Sequence, residues 1–304
     1  MIEGFRRRST RRSAVGIGAL AACVAFAAIA ATGALADPPP ALFAGGTNGI
    51  VFAHGAHGNP HHGSSPQLTY HGGTVMANGA DVTPIFWGSS WSTYSGDKMS
   101  GIDTFYSGIG GSAYAQTNGE YGGSTGPVST SVTPHSHLID TDAAPSGAPS
   151  TSQVLAIVAA KIGNSAVANG YYPVYSDQGR GHAGYCAWHS WGSINGTPVQ
   201  FAFFFNLDGD LGCDPGDGSG LHSQGLAALA NVSGHEYSEA LTDPRGAGWF
   251  DSSGAENADK CAWTFGRTLV SFGGTSWKIQ GNWSNAAYSA GTGYPARVGC
   301  IDGN

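Results

Sequence analysis

Charge is scarce in this 304-residue chain: Asp, Glu, Lys and Arg together make up 11% of it, and basic charge is the scarcer sign. Of thirteen lysines and arginines, five (Arg6, Arg7, Arg8, Arg11 and Arg12) fall within the first twelve residues. Beyond position 36 only eight basic residues stand against nineteen acidic ones, a net charge near −11. No basic face can be built from that, which excludes a nucleic-acid partner and docking to an anionic membrane surface. Cysteine is also sparse, with five in all, and no two share the C-x-x-C spacing of cysteine-based metal sites. No internal repeat is present, so a solenoid is excluded.

The N-terminus supplies what the rest lacks. Five arginines precede an uncharged, Ala-rich run from about Ser13 to Ala36, ending in Ala34-Leu35-Ala36. Basic head, apolar middle and small-residue exit form a secretory signal over residues 1–36. The run is long enough for a membrane anchor, but its weak hydrophobicity and the following Pro38-Pro39-Pro40 favour cleavage. Arg11-Arg12 hints at twin-arginine export, and Leu20-Ala21-Ala22-Cys23 has the form of a lipoprotein box, although the apolar run continues past it. The expected product is secreted and extracellular, with no membrane association after cleavage. It keeps Cys186, Cys213, Cys261 and Cys300, an even number that favours two disulfides in an exported chain. Three pairings are possible; Cys186–Cys213 with Cys261–Cys300 is preferred, because each pair brackets one section of chain.

Residues 37–66, rich in Gly, His, Pro and Ser, read as a flexible lead-in. Residues 67–304 read as a single α+β domain: a central mixed sheet, a few helices, one of them long, and Gly-rich loops. Forty-nine glycines beside 41% hydrophobic residues imply tight turns around a real core. Asp81–Trp87 reads as a strand with Pro84 near its start, residues 97–107 as a short helix, and 151–168 as a better helix capped by Ser150 or Thr151. Pro198–Phe205 is an apolar, aromatic strand suited to the middle of a sheet. Asp208, Asp210, Asp214 and Asp217 then form an Asp/Gly loop that offers a possible calcium site, though turn chemistry explains it equally well.

The chemistry concentrates on residues 221–242, a long helix stopped by Pro244. His235 and Glu239, four residues apart, share a helical face. Zincins hold zinc with two such ligands and use the residue after the first as general base. Glu236 occupies that position. Glu256, 21 residues after His235, is the expected third ligand, with Asp259 and Asp243 as orienting residues or alternative ligands and Asp243, opposed to the helix dipole, held by hydrogen bonds or by the ion. Glu239 stands where a zincin has histidine, so the shell would carry two carboxylates and the cation a lower effective charge. Zinc is the expected ion. The Trp188-His189-Ser190-Trp191 cluster, next to Cys186, reads first as disulfide-anchored core and second as a cleft lining.

These segments resemble a known family. Tyr70-His71-Gly72-Gly73 followed by Thr83-Pro84-Ile85-Phe86-Trp87-Gly88 is similar to the opening of the phosphate-induced protein 1 (EXORDIUM-like) family. His235-Glu236-x-x-Glu239-x-x-Thr242-Asp243-Pro244, Trp249-Phe250 and Glu256-x-x-Asp259-x-Cys261 are similar to its C-terminal signature. The resemblance spans roughly residues 68–304. It implies a secreted, disulfide-bonded protein of the cell exterior, and it implies that Glu239 belongs to the family pattern. The expected function is a zinc-dependent, peptidase-like hydrolase in which Glu236 acts as general base on metal-activated water, with a peptide or cell-wall substrate. The competing expectation is a non-catalytic exterior protein that binds cell wall, carbohydrate or a receptor.

Overall fold

The computed structural model describes residues 41–56, 67–163 and 165–304. The expected signal segment, residues 1–36, lies outside the described residues, as does much of the expected lead-in. Among the described residues no helix is long and apolar enough to cross a membrane.

In chain order the principal elements are β1 (Leu42–Phe52), β2 (Ala80–Val82), β3 (Ile85–Trp87), α1 (Lys98–Ile109), β4 (Val132–Pro134), β5 (Leu138–Asp140), α2 (Thr151–Ile162), β6 (Gly170–Gly179), β7 (Tyr185–Ile194), β8 (Thr197–Asn206) and α3 (Gln224–Thr242). The strands form one eight-stranded mixed sheet in the order β1–β7–β8–β6–β2–β4, with β3 also beside β6 and β5 beside β3. β1, β7 and β8 run antiparallel; the pairings of β6 with β8, β2 and β3 are parallel. A central mixed sheet with helices is thus the architecture, as the alternation of apolar strands and periodic helices requires.

Local sequence explains most boundaries. Ser150 caps α2 in a complete capping box with Gln153. Ser223 caps α3 by accepting from the Leu226 N–H. Pro84 splits the expected strand 81–87 into β2 and β3, because proline offers no donor to the ladder. β8 presents Phe201, Phe203, Phe204 and Phe205 fully buried, the mark of a strand covered on both faces.

The lead-in reading is corrected over part of its length, since residues 42–52 form the edge strand β1. Register shifts interrupt β1 between Ala44 and Thr47 and between Asn48 and Ile50. Gly45, Gly46 and Gly49 are residues of these bulges, and the bulges hide the period-two pattern of a strand.

α3 packs against β1, β7, β8 and α1. Every residue from Gly225 to Thr242 is buried, so no side of this helix is wetted and each of its polar groups needs a partner. His189, on β7, projects to the α3 side. The opposite face of β7 meets α2: a Cβ at Gly192 would lie 2.7 Å from the Leu155 side chain.

The cysteines pair as Cys186–Cys213 and Cys261–Cys300. The second bridge closes a 39-residue separation within a section built mainly of loops and two- or three-residue strands. Removing it by Cys261→Ala with Cys300→Ala should cost about 4 kcal/mol from the loop closed. Denaturant unfolding of the variant against the parent protein measures the loss, and an effect below about 1 kcal/mol would show that the loops hold their arrangement without the bridge.

Candidate metal centre

α3 supplies three of the polar residues at the centre of the molecule. His235, Glu236 and Glu239 are all 0% exposed. β7 supplies His189, also 0% exposed, and the loop before Cys261 supplies Glu256 and Asp259, at 4% and 9%. Among the described residues two sets of donor atoms converge closely enough to hold an ion: His189 with Glu236 and Glu239, and His235 with Glu239 and Asp259. Glu239 is common to both. Its Oε1 lies 3.0 Å from His235 Nε2, and its Oε2 lies 3.8 Å from His189 Nε2.

The expected residues are therefore gathered, in a different grouping. Asp259, not Glu256, completes the set around His235, with Oδ1 3.5 Å from His235 Nε2. Glu256 faces His189 instead, with Oε2 3.2 Å from Nε2. Asp243 is committed to the backbone, where its Oδ1 accepts from Ala247 N–H (2.7 Å) and Gly248 N–H (2.6 Å) and shapes the turn after α3. His189, which the sequence put in a core cluster first and a cleft lining second, was not among the expected ligands, yet it joins the cluster. Its one available signal was a histidine amid the apolar and aromatic residues of a strand, a place where a polar ring needs a partner.

Several buried polar atoms in the cluster have no hydrogen-bond partner: both oxygens of Glu236, Oε2 of Glu239, Nδ1 of His189 and Nε2 of His235. Other polar atoms of the cluster are held. Asp259 N–H donates to Glu239 Oε1 (2.9 Å), and Glu256 N–H donates to Asp259 Oδ2 (3.1 Å). Gln280, 0% exposed, supports His235: its Nε2 lies 2.8 Å from His235 Nδ1. Orphaned carboxylate oxygens beside imidazoles suit a divalent cation of the zinc or manganese type, which takes nitrogen and oxygen donors together.

β1 closes over the cluster. Asn48 pairs with His189 and Ile50 with Trp188, so Gly49 is the extra residue of the bulge. Its φ is +30°, and a Cβ there would lie 2.0 Å from Glu239 Oε2 and 2.7 Å from His189 Nε2. Only glycine brings the strand this near. Beside it opens a cleft of about 340 Å³, lined by Thr47, Asn48, Gly49, Phe250, Glu256 and Asp259 among others. The cluster reaches this cleft through Glu256 and Asp259.

Burial governs the protonation of the cluster. Desolvation, with the Asp259 charge adding to it, raises Glu239 to about 7 against the opposing pull of His235. Glu236 is raised well above the usual carboxylate range by burial, and Glu256 by burial and then by Glu239 and Asp243. Burial and His235 hold His189 down to about 3, a neutral ring at physiological pH. For His235, burial works against the charged ring while Glu239 and Asp259 work for it and lift its pKa; the Gln280 amide against Nδ1 opposes the second proton.

The possible calcium loop does not converge. Asp208 pairs with Lys98 (2.5 Å) and Asp210 with Arg180 (2.5 Å). Asp214 and Asp217 accept from the Gly216 and Ser219 N–H groups of their own turns. Gly122-Gly123-Ser124-Thr125-Gly126 has the spacing of a nucleophile elbow, but it is the tip of a small hairpin between residues 122–123 and 126–127.

Comparison with known proteins finds no family model, no curated protein and no solved structure that matches this chain.

The carboxylate shifts set a pH dependence. A carboxyl group whose folded pKa lies above its unfolded value stabilises the fold at low pH, and that contribution is lost as pH rises through the folded value. For Glu239 the window runs from 4.5 to about 7. In chelator, the melting temperature should fall as pH rises across this window, and Glu239→Gln should flatten the fall. A melting temperature that climbs across the same window in chelator would show the cluster to be internally neutralised.

Proposed function

We propose that this protein is a secreted, metal-dependent hydrolase of peptide-like substrates. One observation carries the reading: two histidines and four carboxylates converge beneath an open cleft, with unpartnered donor atoms among them. A structural ion site would be closed by protein on every side, whereas here Glu256 and Asp259 line the cleft. Two disulfides fit an exterior location, as does the Ala-rich leader read from the sequence. The H-E-x-x-E helix and the acidic pair after it are the basis for a zincin-like reading and for likeness to the EXORDIUM-like family.

The residues that would hold a cation are drawn from His189, His235, Glu236, Glu239, Glu256 and Asp259. A divalent ion there supplies Lewis-acid polarisation of water and of a substrate carbonyl. The chain's own groups do the rest. Glu256 is the carboxylate placed to exchange a proton with a cleft-bound reactant, since it lines the cleft and its pKa is raised by burial. Glu236, the base expected from the motif, is 0% exposed and lies below the cleft wall. Substrate class follows from β1, the edge strand of the sheet, whose residues 47–50 and Phe52 line the cleft. An extended peptide can pair with that edge and lie across Glu256.

The test is hydrolysis of a mixed fluorogenic peptide set by protein secreted from an oxidising host, stripped of metal and then reloaded with zinc or manganese. Activity should disappear in chelator and return on reloading, and Glu256→Gln should lower kcat by about 100-fold or more with the ion content measured in the same sample. Fully loaded protein that cleaves nothing in a metal-dependent way would leave a non-catalytic exterior protein with an ion site as the better account.

A further inference from the structure

We infer that the ion seat is made by His189, Glu236 and Glu239, with Glu256 at its cleft side, and that His235 is a positioning N–H donor and not a ligand. The inference rests on the metal-dependent reading above and deepens it, by choosing between two donor sets that share Glu239.

The choice follows from Gln280. Its Oε1 accepts from the Trp263 backbone N–H at 3.1 Å, and its Nε2 donates to the Ala258 carbonyl at 2.9 Å. These two backbone groups fix the orientation of the amide. Turning it over would set oxygen against oxygen at Ala258 and N–H against N–H at Trp263. The second hydrogen on Nε2 then meets His235 Nδ1 at 2.8 Å, so Nδ1 accepts and the ring proton resides on Nε2. A ring nitrogen carrying a proton has no lone pair for an ion. Histidines that bind metal show the reverse arrangement, giving their remote N–H to a carboxylate, a carbonyl or water. The proton on Nε2 also accounts for Glu239 Oε1 standing only 3.0 Å away, a separation at which a lone pair and a carboxylate would repel. Nε2 is not aligned on that oxygen as a hydrogen bond, which leaves its N–H able to donate to an oxygen bound within the cluster.

The second donor set is partly committed: Glu239 Oε1 already accepts from the Asp259 N–H, and Asp259 Oδ1 faces the protonated His235 Nε2 at 3.5 Å. The open capacity lies on the His189 side, at both oxygens of Glu236 and at Glu239 Oε2. His189 Nε2 faces two carboxylate oxygens, Glu256 Oε2 at 3.2 Å and Glu239 Oε2 at 3.8 Å, and between such groups a proton or a cation must lie. The Gly49 bulge, which abuts this same Glu239 oxygen and His189 Nε2, forms the wall of the seat. Along α3 the ligands are then Glu236 and Glu239, three residues apart and on one face, in place of the His235–Glu239 pair of the motif. One imidazole with carboxylate oxygens is a donor set for zinc or manganese.

The experiment uses wild-type secreted protein labelled with [15N]histidine, stripped with chelator and titrated with zinc, with the ring nitrogens followed by long-range 1H–15N correlation. Signals of His189 and His235 are assigned from His189→Gln and His235→Gln. The expected result is that His235 keeps its proton on Nε2 throughout, and that a ring nitrogen of His189 shifts in step with binding of one zinc per chain. Folded His189→Gln should bind zinc at least ~100-fold more weakly, beyond the 10- to 100-fold expected for an outer-shell change, with His235→Gln losing less. Loss of the Nε2 proton from His235 on adding zinc, or undiminished zinc binding by folded His189→Gln, overturns the seat and leaves the metal reading standing. Absence of zinc and manganese binding by the wild type overturns both. If His189→Gln fails to fold, the wild-type spectra decide, with His189 then assigned from His189→Asn or by elimination.

Discussion

The burial of acidic side chains on and around α3 is the constraint to which the rest of this structure answers. Glu236 and Glu239 are 0% exposed and Glu256 is 4% exposed. Each ionised carboxylate taken from water costs several kcal/mol unless it is paired or bound to a cation. The surroundings supply only partial relief: two imidazoles, the Asp259 N–H on Glu239 and, on the far side, the Gln280 amide on His235. Glu236 has no well-aligned hydrogen bond at either oxygen, and the nearby Val51 backbone gives it only weak relief. A site left this incomplete by its own protein is under-neutralised, and a proton or a cation must make up the difference. A cation fits the presence of imidazole donors better than protons alone do.

The rest of the fold is arranged to bring distant chain to that point. β7 contributes His189 from the strand next to the edge, and β1 comes close enough to wall the cluster only because Gly49 has no side chain. Glu256 and Asp259 arrive from irregular chain, where regular ladders cannot position them. Their place is set by backbone bonds such as Glu256 N–H to Asp259 and Trp283 N–H to the Asn257 carbonyl, and by the nearby Cys261–Cys300 bridge. Buried amides knit this section to α3: Asn231 accepts from Gln280 N–H, and Asn282 donates to Ser238. The apolar core fixes the sheet, while hydrogen bonds and a disulfide fix the chemistry.

What was legible in the sequence was what depends on near neighbours. The cap at Ser150 or Thr151, the stop at Pro244, the buried run of β8 and the i,i+4 relation of His235 and Glu239 are local, and each appears within a few residues of where the pattern put it. β1 was hidden because its bulges break the alternation that marks a strand. His189 was hidden because its partners stand far along the chain, Asn48 at β1 and Glu256 in the C-terminal loops. Asp243, an acidic residue at the end of the helix, could be held by hydrogen bonds or by an ion, and the turn that follows uses its carboxylate.

The same distinction separates recognising an ion-binding motif from naming its ligands. Helical spacing puts His235 and Glu239 on one face, and both sit in the cluster, but spacing says nothing of which nitrogen of the ring carries a proton. That is decided by Gln280, 45 residues further on, and Gln280 is itself oriented by the carbonyl of Ala258 and the N–H of Trp263. Two backbone groups with no chemistry of their own thus determine whether a histidine offers a lone pair or a hydrogen. With the hydrogen on Nε2, His235 becomes a donor aimed into an acidic pocket, complementary to the oxygen-rich group beside it, and the proposed ion seat falls on the β7 side. That proposed seat lies against β1, the bulged strand at one edge of the sheet, whose residues also line the cleft.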